Sequence, residues 1–183
     1  MKALVYTGVE ELVYREEKDP VETSGESILK VHASGICGSD MHAYHGKDER
    51  RIPPLIIGHE VSGVIQNGKF QGKNAVLNPL ITCGKCEYCT SGREHLCPHR
   101  VLLGMNRPYE RQGVFAELVS SPNQNIYEVP DHLDLNEAAI AEPTAVSLHA
   151  VLMGESSLKK PLSECLSLIH ISEPTRLLSI ADA

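Results

Sequence analysis

Four cysteines within fifteen positions constrain this chain more than any other feature. The segment CGKCEYCTSGREHLC sets Cys83, Cys86, Cys89 and Cys97 in the pattern Cys-x2-Cys-x2-Cys-x7-Cys. Two-residue spacers let neighbouring sulfurs converge through tight turns, and Gly84 and Gly92 supply the backbone freedom those turns need. Zinc in structural sites is tetrahedral and favours thiolates at about 2.3 Å. Four sulfurs fill such a shell and leave no position for a substrate, so a zinc held here is structural. Free thiols and an iron–sulfur cluster are the competing readings. His95 and His99 lie close by, but four sulfurs already complete the shell, and both read as surface residues.

The rest of the chain must build a fold that carries this lobe. Runs such as MKALVY, ELVYRE, SILKVHAS, VSGVIQNG, NAVLNPL and GVFAELVS read as strands, punctuated by glycines. Strands at this spacing predict a small barrel or sandwich. Pro143 suits a helix start and Gly154 a helix end, which predicts a helix over Pro143–Met153; a shorter one is expected over Ser39–His45. The fold class is therefore mainly β with short helices.

With 183 residues and a net charge of −7, the chain has room for a core and shows no basic face, so no nucleic-acid partner is expected. No apolar run reaches membrane-spanning length, and the N-terminus lacks a basic-then-apolar leader, which predicts a cytoplasmic protein with no membrane contact.

A second set of residues carries mixed donors. Cys37 stands in GICGSD with Ser39, Asp40 and His42 close behind it; His59 and Glu60 stand in GHE; Glu142 stands in AEPT. A lone cysteine or histidine is ordinarily packing or surface. Together these residues offer sulfur, nitrogen and carboxylate, the donor set of a catalytic zinc with an open position.

The pieces GICGSDMH, PLIIGHEVSG, the four-cysteine lobe, GVFAEL and AEPTAVSLHA, in that order, resemble the medium-chain zinc-dependent alcohol and polyol dehydrogenases. The resemblance covers about residues 1–165. It implies a co-chaperonin-like (GroES-like) barrel as catalytic domain, expected over residues 1–154, with 155–165 opening a linker to a nucleotide-binding Rossmann domain. It implies one catalytic and one structural zinc, with Cys37 and His59 as direct ligands of the catalytic ion. Glu60 is implied as a ligand or close neighbour exchanging with water. Glu142 stands where ethanol-type members place a cysteine, similar to the sorbitol, threonine and galactitol-phosphate branches, in some of which it binds zinc. Ser39 is implied as the hydroxyl that relays the substrate proton, His42 as its extension toward solvent, and Asp40 as a residue that orients the loop. NAD or NADP as hydride acceptor, a small alcohol or polyol substrate, and a homo-oligomeric complete enzyme follow from the same resemblance. A non-enzymatic zinc-binding interaction module is the competing reading.

Two features depart from the family. LSLIHISEPTR, residues 166–176, is similar to the translation of an adapter used in transposase-based sequencing libraries, so 166–183 is expected to be a non-native tail. No G-x-G-x-x-G occurs in the chain, so the cofactor-binding turn is missing. The 183-residue polypeptide is therefore expected to show no alcohol-dependent NAD(P)H formation by itself. An absorbance assay checks this, and turnover near that of full-length relatives would contradict it.

Overall fold

A computed structural model describes residues 1–158. The tail expected at 166–183, Cys165 and most of the linker expected at 155–165 lie outside these residues. By its internal contacts the chain divides into two units, Met1–Thr144 and Ala145–Ala183.

The first unit is built from antiparallel strands. β1 (Lys2–Gly8), β2 (Glu11–Glu16) and β4 (Leu55–Ile56) form one sheet in the order β2-β1-β4. β3 (Glu26–Gly35), β5 (Glu60–Ile65), β6 (Asn74–Leu77), β9 (Leu118–Pro122) and β10 (Ile126–Glu128) form a curled five-stranded sheet in the order β10-β6-β5-β3-β9. β7 (Leu80–Ile81) and β8 (Val101–Leu102) pair on either side of the cysteine segment. Period-two alternation explains the longer strands: Ser27 and Leu29 of β3, and Val119 and Ser121 of β9, point inward while their neighbours do not.

Leu29, Val61, Ile65, Ala75, Leu77, Leu103, Val114, Val119 and Ile126 form the main core. Two smaller clusters lie beneath β1 and β4, and Phe115 packs against all three. The stretch GVFAELVS is thus only partly a strand. Residues 113–115 send their N–H groups to the carbonyls of Ile56, Gly58 and Ile57, Ala116 bridges to Ala3, and the chain joins β3 only from Glu117, whose carbonyl accepts the Val31 N–H, with paired strand from Leu118. NAVLNPL likewise stops at Leu77, because Pro79 cannot donate to a ladder and the Asn78 N–H turns to Asn125.

The described residues also hold four α-helices, α1 (Gly38–Tyr44), α2 (Glu87–Thr90), α3 (Leu135–Ala138) and α4 (Ala141–Leu158), and three single 3-10 turns. α4 corrects the expected helix at both ends. It starts two residues before Pro143, which sits in the first turn, where backbone N–H groups have no helical partner to lose. It runs through Gly154, which keeps a negative φ and only lowers helix propensity. Eighteen residues also make it longer than the short helices expected. In the second unit, Val146, Leu148, Leu152 and Met153 of α4 are exposed. No helix among the described residues is long and apolar enough to cross a membrane.

One polar tie spans the fold. Glu26 of β3 receives the Arg111 Nη1 donor at 3.0 Å and the Ser120 hydroxyl. Burial opposes ionisation of Glu26, but the Ser120 hydroxyl and the Arg111 guanidinium outweigh it and hold the carboxyl below its ordinary range. A lowered native pKa means stability present at neutral pH and lost as pH falls. Glu26→Gln is expected to cost about 1 kcal/mol at pH 7 in urea unfolding, with the difference from the parent shrinking below about pH 4. A difference that stays constant down to pH 3 would contradict the assignment.

Candidate functional site

Strand pairing assembles the mixed-donor site. β3 and β5 run antiparallel with Gly35 opposite Glu60 and Ser34 opposite Val61. The end of β3 therefore lies beside the start of β5, and the chain leaving β3 through Ile36 and Cys37 stays next to His59 and Glu60. Donor atoms of Cys37, His59 and Glu60 all lie within 4.8 Å of one another. His59 and Glu60 are each 6% exposed.

Two glycines make the arrangement possible. Gly58 has φ +92, and a Cβ there would sit 2.5 Å from Cδ1 of Phe115. Any other residue before His59 would be strained in backbone and driven into the aromatic ring that joins the three core clusters. Gly35 keeps an ordinary backbone, but a Cβ there would collide with Oε2 of Glu60, so a bare backbone leaves the space the Glu60 carboxylate occupies.

Asp40 connects the two halves of the site. It occupies the third position of α1, and its Oδ2 accepts the Cys37 N–H at 3.0 Å across the first turn. Its Oδ1 lies 3.5 Å from Nδ1 of His59 and 3.6 Å from Nη2 of Arg51. Neither contact is a formed hydrogen bond, and both Asp40 Oδ1 and His59 Nδ1 are buried without a hydrogen-bond partner. The interaction is therefore chiefly charge on charge at short range. Burial alone would lower the His59 pKa, but the Asp40 carboxylate, and after it Cys37, raise it to about 9. Burial would raise the Cys37 thiol, yet the hydroxyl and N–H of Ser39, with His59, bring it below its ordinary range.

Glu142 falls outside the cluster of three donors. It sits in the first turn of α4, shortly after α3, which Asp134 caps through the Asn136 N–H and whose Leu135 carbonyl accepts the Ser62 hydroxyl of β5. Glu142 nonetheless shares the electrostatics of the site. Burial raises its pKa most, the Glu60 and Asp40 charges add to that, and His59 opposes it. His42, on α1, is exposed.

Chemically, one soft thiolate, one imidazole and one carboxylate fit zinc with room for a further ligand, and the unpaired buried Nδ1 of His59 facing a carboxylate is the geometry that orients an imidazole ligand. Arg51 and Asp48, which border the site, carry no motif in the sequence. Only contact with Ser39 and Asp40 reveals them.

The second cluster is local. Cys86 precedes α2, Cys89 lies within it, and Cys97 follows a short 3-10 turn over Glu94–Leu96. Gly84 and Gly92 have φ +69 and +73, as the tight turns require. Sulfur pairs Cys83–Cys89, Cys86–Cys89 and Cys97–Cys83 are 3.9, 3.5 and 3.6 Å apart. A tetrahedron with bonds of about 2.3 Å has edges of about 3.8 Å, so these sulfurs already stand at zinc-ligand spacing. Backbone N–H groups of Lys85 and Cys86 lower the Cys83 thiol to about 6, while at Cys86 the Cys89 N–H opposes but burial and the neighbouring sulfurs raise the thiol to about 11. His95 and His99 are exposed.

The Gly58 geometry sets a test of how tightly His59 is placed. Gly58→Ala is expected to destabilise the chain by at least about 2 kcal/mol in urea unfolding, through left-handed strain and the Phe115 clash together. A loss under about 0.5 kcal/mol would contradict the described turn.

Known proteins share this architecture. Residues 23–131 match the alcohol dehydrogenase GroES-like domain. An L-threonine 3-dehydrogenase of Anaeromyxobacter sp. (strain K) is 36% identical over 163 residues, which cover 83% of this chain and 46% of the relative. L-galactonate-5-dehydrogenase of Escherichia coli (strain K12) is 32% identical over 157 residues, 82% of this chain and 45% of the relative. The crystal structure of the alcohol dehydrogenase TADH from Thermus sp. ATN1 superposes with a TM-score of 0.77 at 29% identity, covering 85% of this chain and 48% of that one. The chain thus spans about half the length of the relatives it matches. With the strand order, the cysteine lobe and the GHE turn all in place, this chain belongs to the alcohol dehydrogenase GroES-like domain family.

Proposed function

We propose that this chain is the zinc-carrying catalytic domain of a dehydrogenase that, when complete, oxidises a secondary alcohol of a polyol or similar small substrate with NAD or NADP. The convergence of Cys37, His59 and Glu60 within 4.8 Å carries this reading. Relatives named as dehydrogenases of threonine, arabitol phosphate and galactonate support the substrate class. The catalytic domain is assigned to residues 1–154, with the linker and tail as expected above. The complete enzyme is read as a cytoplasmic homo-oligomer, with neither nucleic acid nor membrane as partner.

In this reading Cys37 and His59 hold the catalytic ion, and Glu60 stands beside it as a ligand or as a neighbour that exchanges with water. Zinc there supplies Lewis acidity, lowering the pKa of an alcohol oxygen as it lowers that of water to about 7. Asp40, close to Nδ1 of His59, leaves the opposite ring nitrogen for the metal and keeps the imidazole from turning. Ser39, whose hydroxyl contacts Cys37, relays the substrate proton, its oxygen accepting that proton as its own hydroxyl proton moves on. His42 lies three residues further along α1, on the same helix face, and passes the proton toward solvent. Glu142, in the first turn of α4, is within reach of the charges of His59, Glu60 and Asp40 and is read as a further carboxylate for the ion, bound directly or through water. The four-cysteine lobe holds the structural ion.

Metal content tests the reading. The purified chain is expected to hold two zinc ions per polypeptide by elemental analysis, and Cys37→Ser is expected to hold one. One zinc per parent chain, unchanged in Cys37→Ser, would favour a zinc-binding interaction module instead.

A further inference from the structure

Arg51 is the one arginine of the described residues whose side chain is fully enclosed, with 2% of its surface exposed. Its guanidinium reaches three segments of chain. Nε donates to the Gly104 carbonyl at 3.0 Å. Nη1 donates to the Ser39 carbonyl at 3.2 Å and to Oδ2 of Asp48 at 2.6 Å. Nη2 donates to the Ser39 hydroxyl oxygen at 3.3 Å and lies 3.6 Å from Oδ1 of Asp40. A buried charge survives only where its donors are matched. Here the match comes from the Ser39–Asp40 turn, Asp48 and the Gly104 carbonyl.

The contact with Gly104 extends this reach to the other side of the site. Gly104 lies flat against Gly58, so close that a Cβ on it would stand 2.7 Å from the Gly58 carbonyl oxygen and 2.9 Å from its nitrogen. Gly58 is the residue before His59. Arg51 thus holds the Ser39–Asp40 turn with one edge of its fork and the backbone supporting the GHE turn with Nε. A lysine offers a point charge and no planar fork, and cannot make these contacts together.

We propose that Arg51 is a positioning residue for the Cys37–His59–Glu60 metal centre, fixing the Ser39 hydroxyl and the Asp40 carboxylate against the GHE turn. Asp48 anchors Arg51 from behind and belongs to the same device. The proposal rests on reading those three residues as a metal centre.

Cobalt(II) titration of the chelator-stripped chain tests it. The four-thiolate lobe and the one-thiolate centre differ in the intensity of their sulfur-to-cobalt charge-transfer bands, so the two uptakes are read separately. Arg51→Lys is expected to weaken cobalt affinity at the Cys37 centre by about 10- to 100-fold, the cost of losing an outer partner of a metal ligand, while the lobe binds as in the parent. Asp48→Asn, which leaves Arg51 in place but loosens its anchor, is expected to weaken the centre about tenfold, and it carries the test if Arg51→Lys does not fold. A variant with a lowered melting temperature but unchanged affinity at the centre would overturn the proposal, since a purely structural role behaves that way. A parent chain that takes up two cobalt ions, matched by both variants, overturns the proposal and leaves the function standing. A parent chain that takes up cobalt only in the lobe removes both.

Discussion

The candidate site depends on one buried carboxylate. Asp40 is 1% exposed and has three partners: the Cys37 N–H, the His59 ring and the Arg51 guanidinium. A charge so placed is tolerable only if its neighbours are positive or donate to it. That condition ties the turn after β3 to the turn before β5 and raises the basicity of His59. It also explains why a helix of only seven residues can hold the Cys37 end of the site: the helix starts on Asp40's own hydrogen bond, and its first turn is gripped by Arg51.

The two cysteine-containing sites are built on different principles. In the lobe, all four donors lie within fifteen residues, and two tight turns bring their sulfurs near zinc spacing. The mixed-donor site joins residues more than twenty positions apart through the register of β3 and β5, with Gly35 and Gly58 keeping the space open. A local site survives as long as its loop does. An assembled site needs the sheet, and so is sensitive to substitutions that never touch a donor atom.

This difference also decided what was legible in the sequence. The lobe could be read from spacing alone. The six longer apolar runs each met a strand, because period-two alternation is a local property. Strands β4, β7, β8 and β10, two or three residues each, are too short to show a period and exist because longer neighbours pair with them. Pro143 and Gly154 misled the helix boundaries, since a first-turn proline leaves the start undefined and a glycine weakens a helix without ending it. Arg51 and Asp48 were invisible: an arginine in KDERRI reads as a solvated charge until the fold encloses it. Glu142 was singled out by resemblance. The geometry sets it beside the donor cluster, outside the three atoms that converge, within reach of their charges.

Zinc K-edge absorption on the purified chain measures the ligands directly. Two ions, one with four sulfurs and one with a single sulfur among nitrogen and oxygen, give an average of about 2.5 sulfurs per zinc, with the remaining scatterers at about 2.0–2.2 Å. That is the result this account predicts. An average of four sulfurs per zinc, with no nitrogen or oxygen shell, would show that only the lobe binds metal and would contradict the assignment of Cys37, His59 and Glu60.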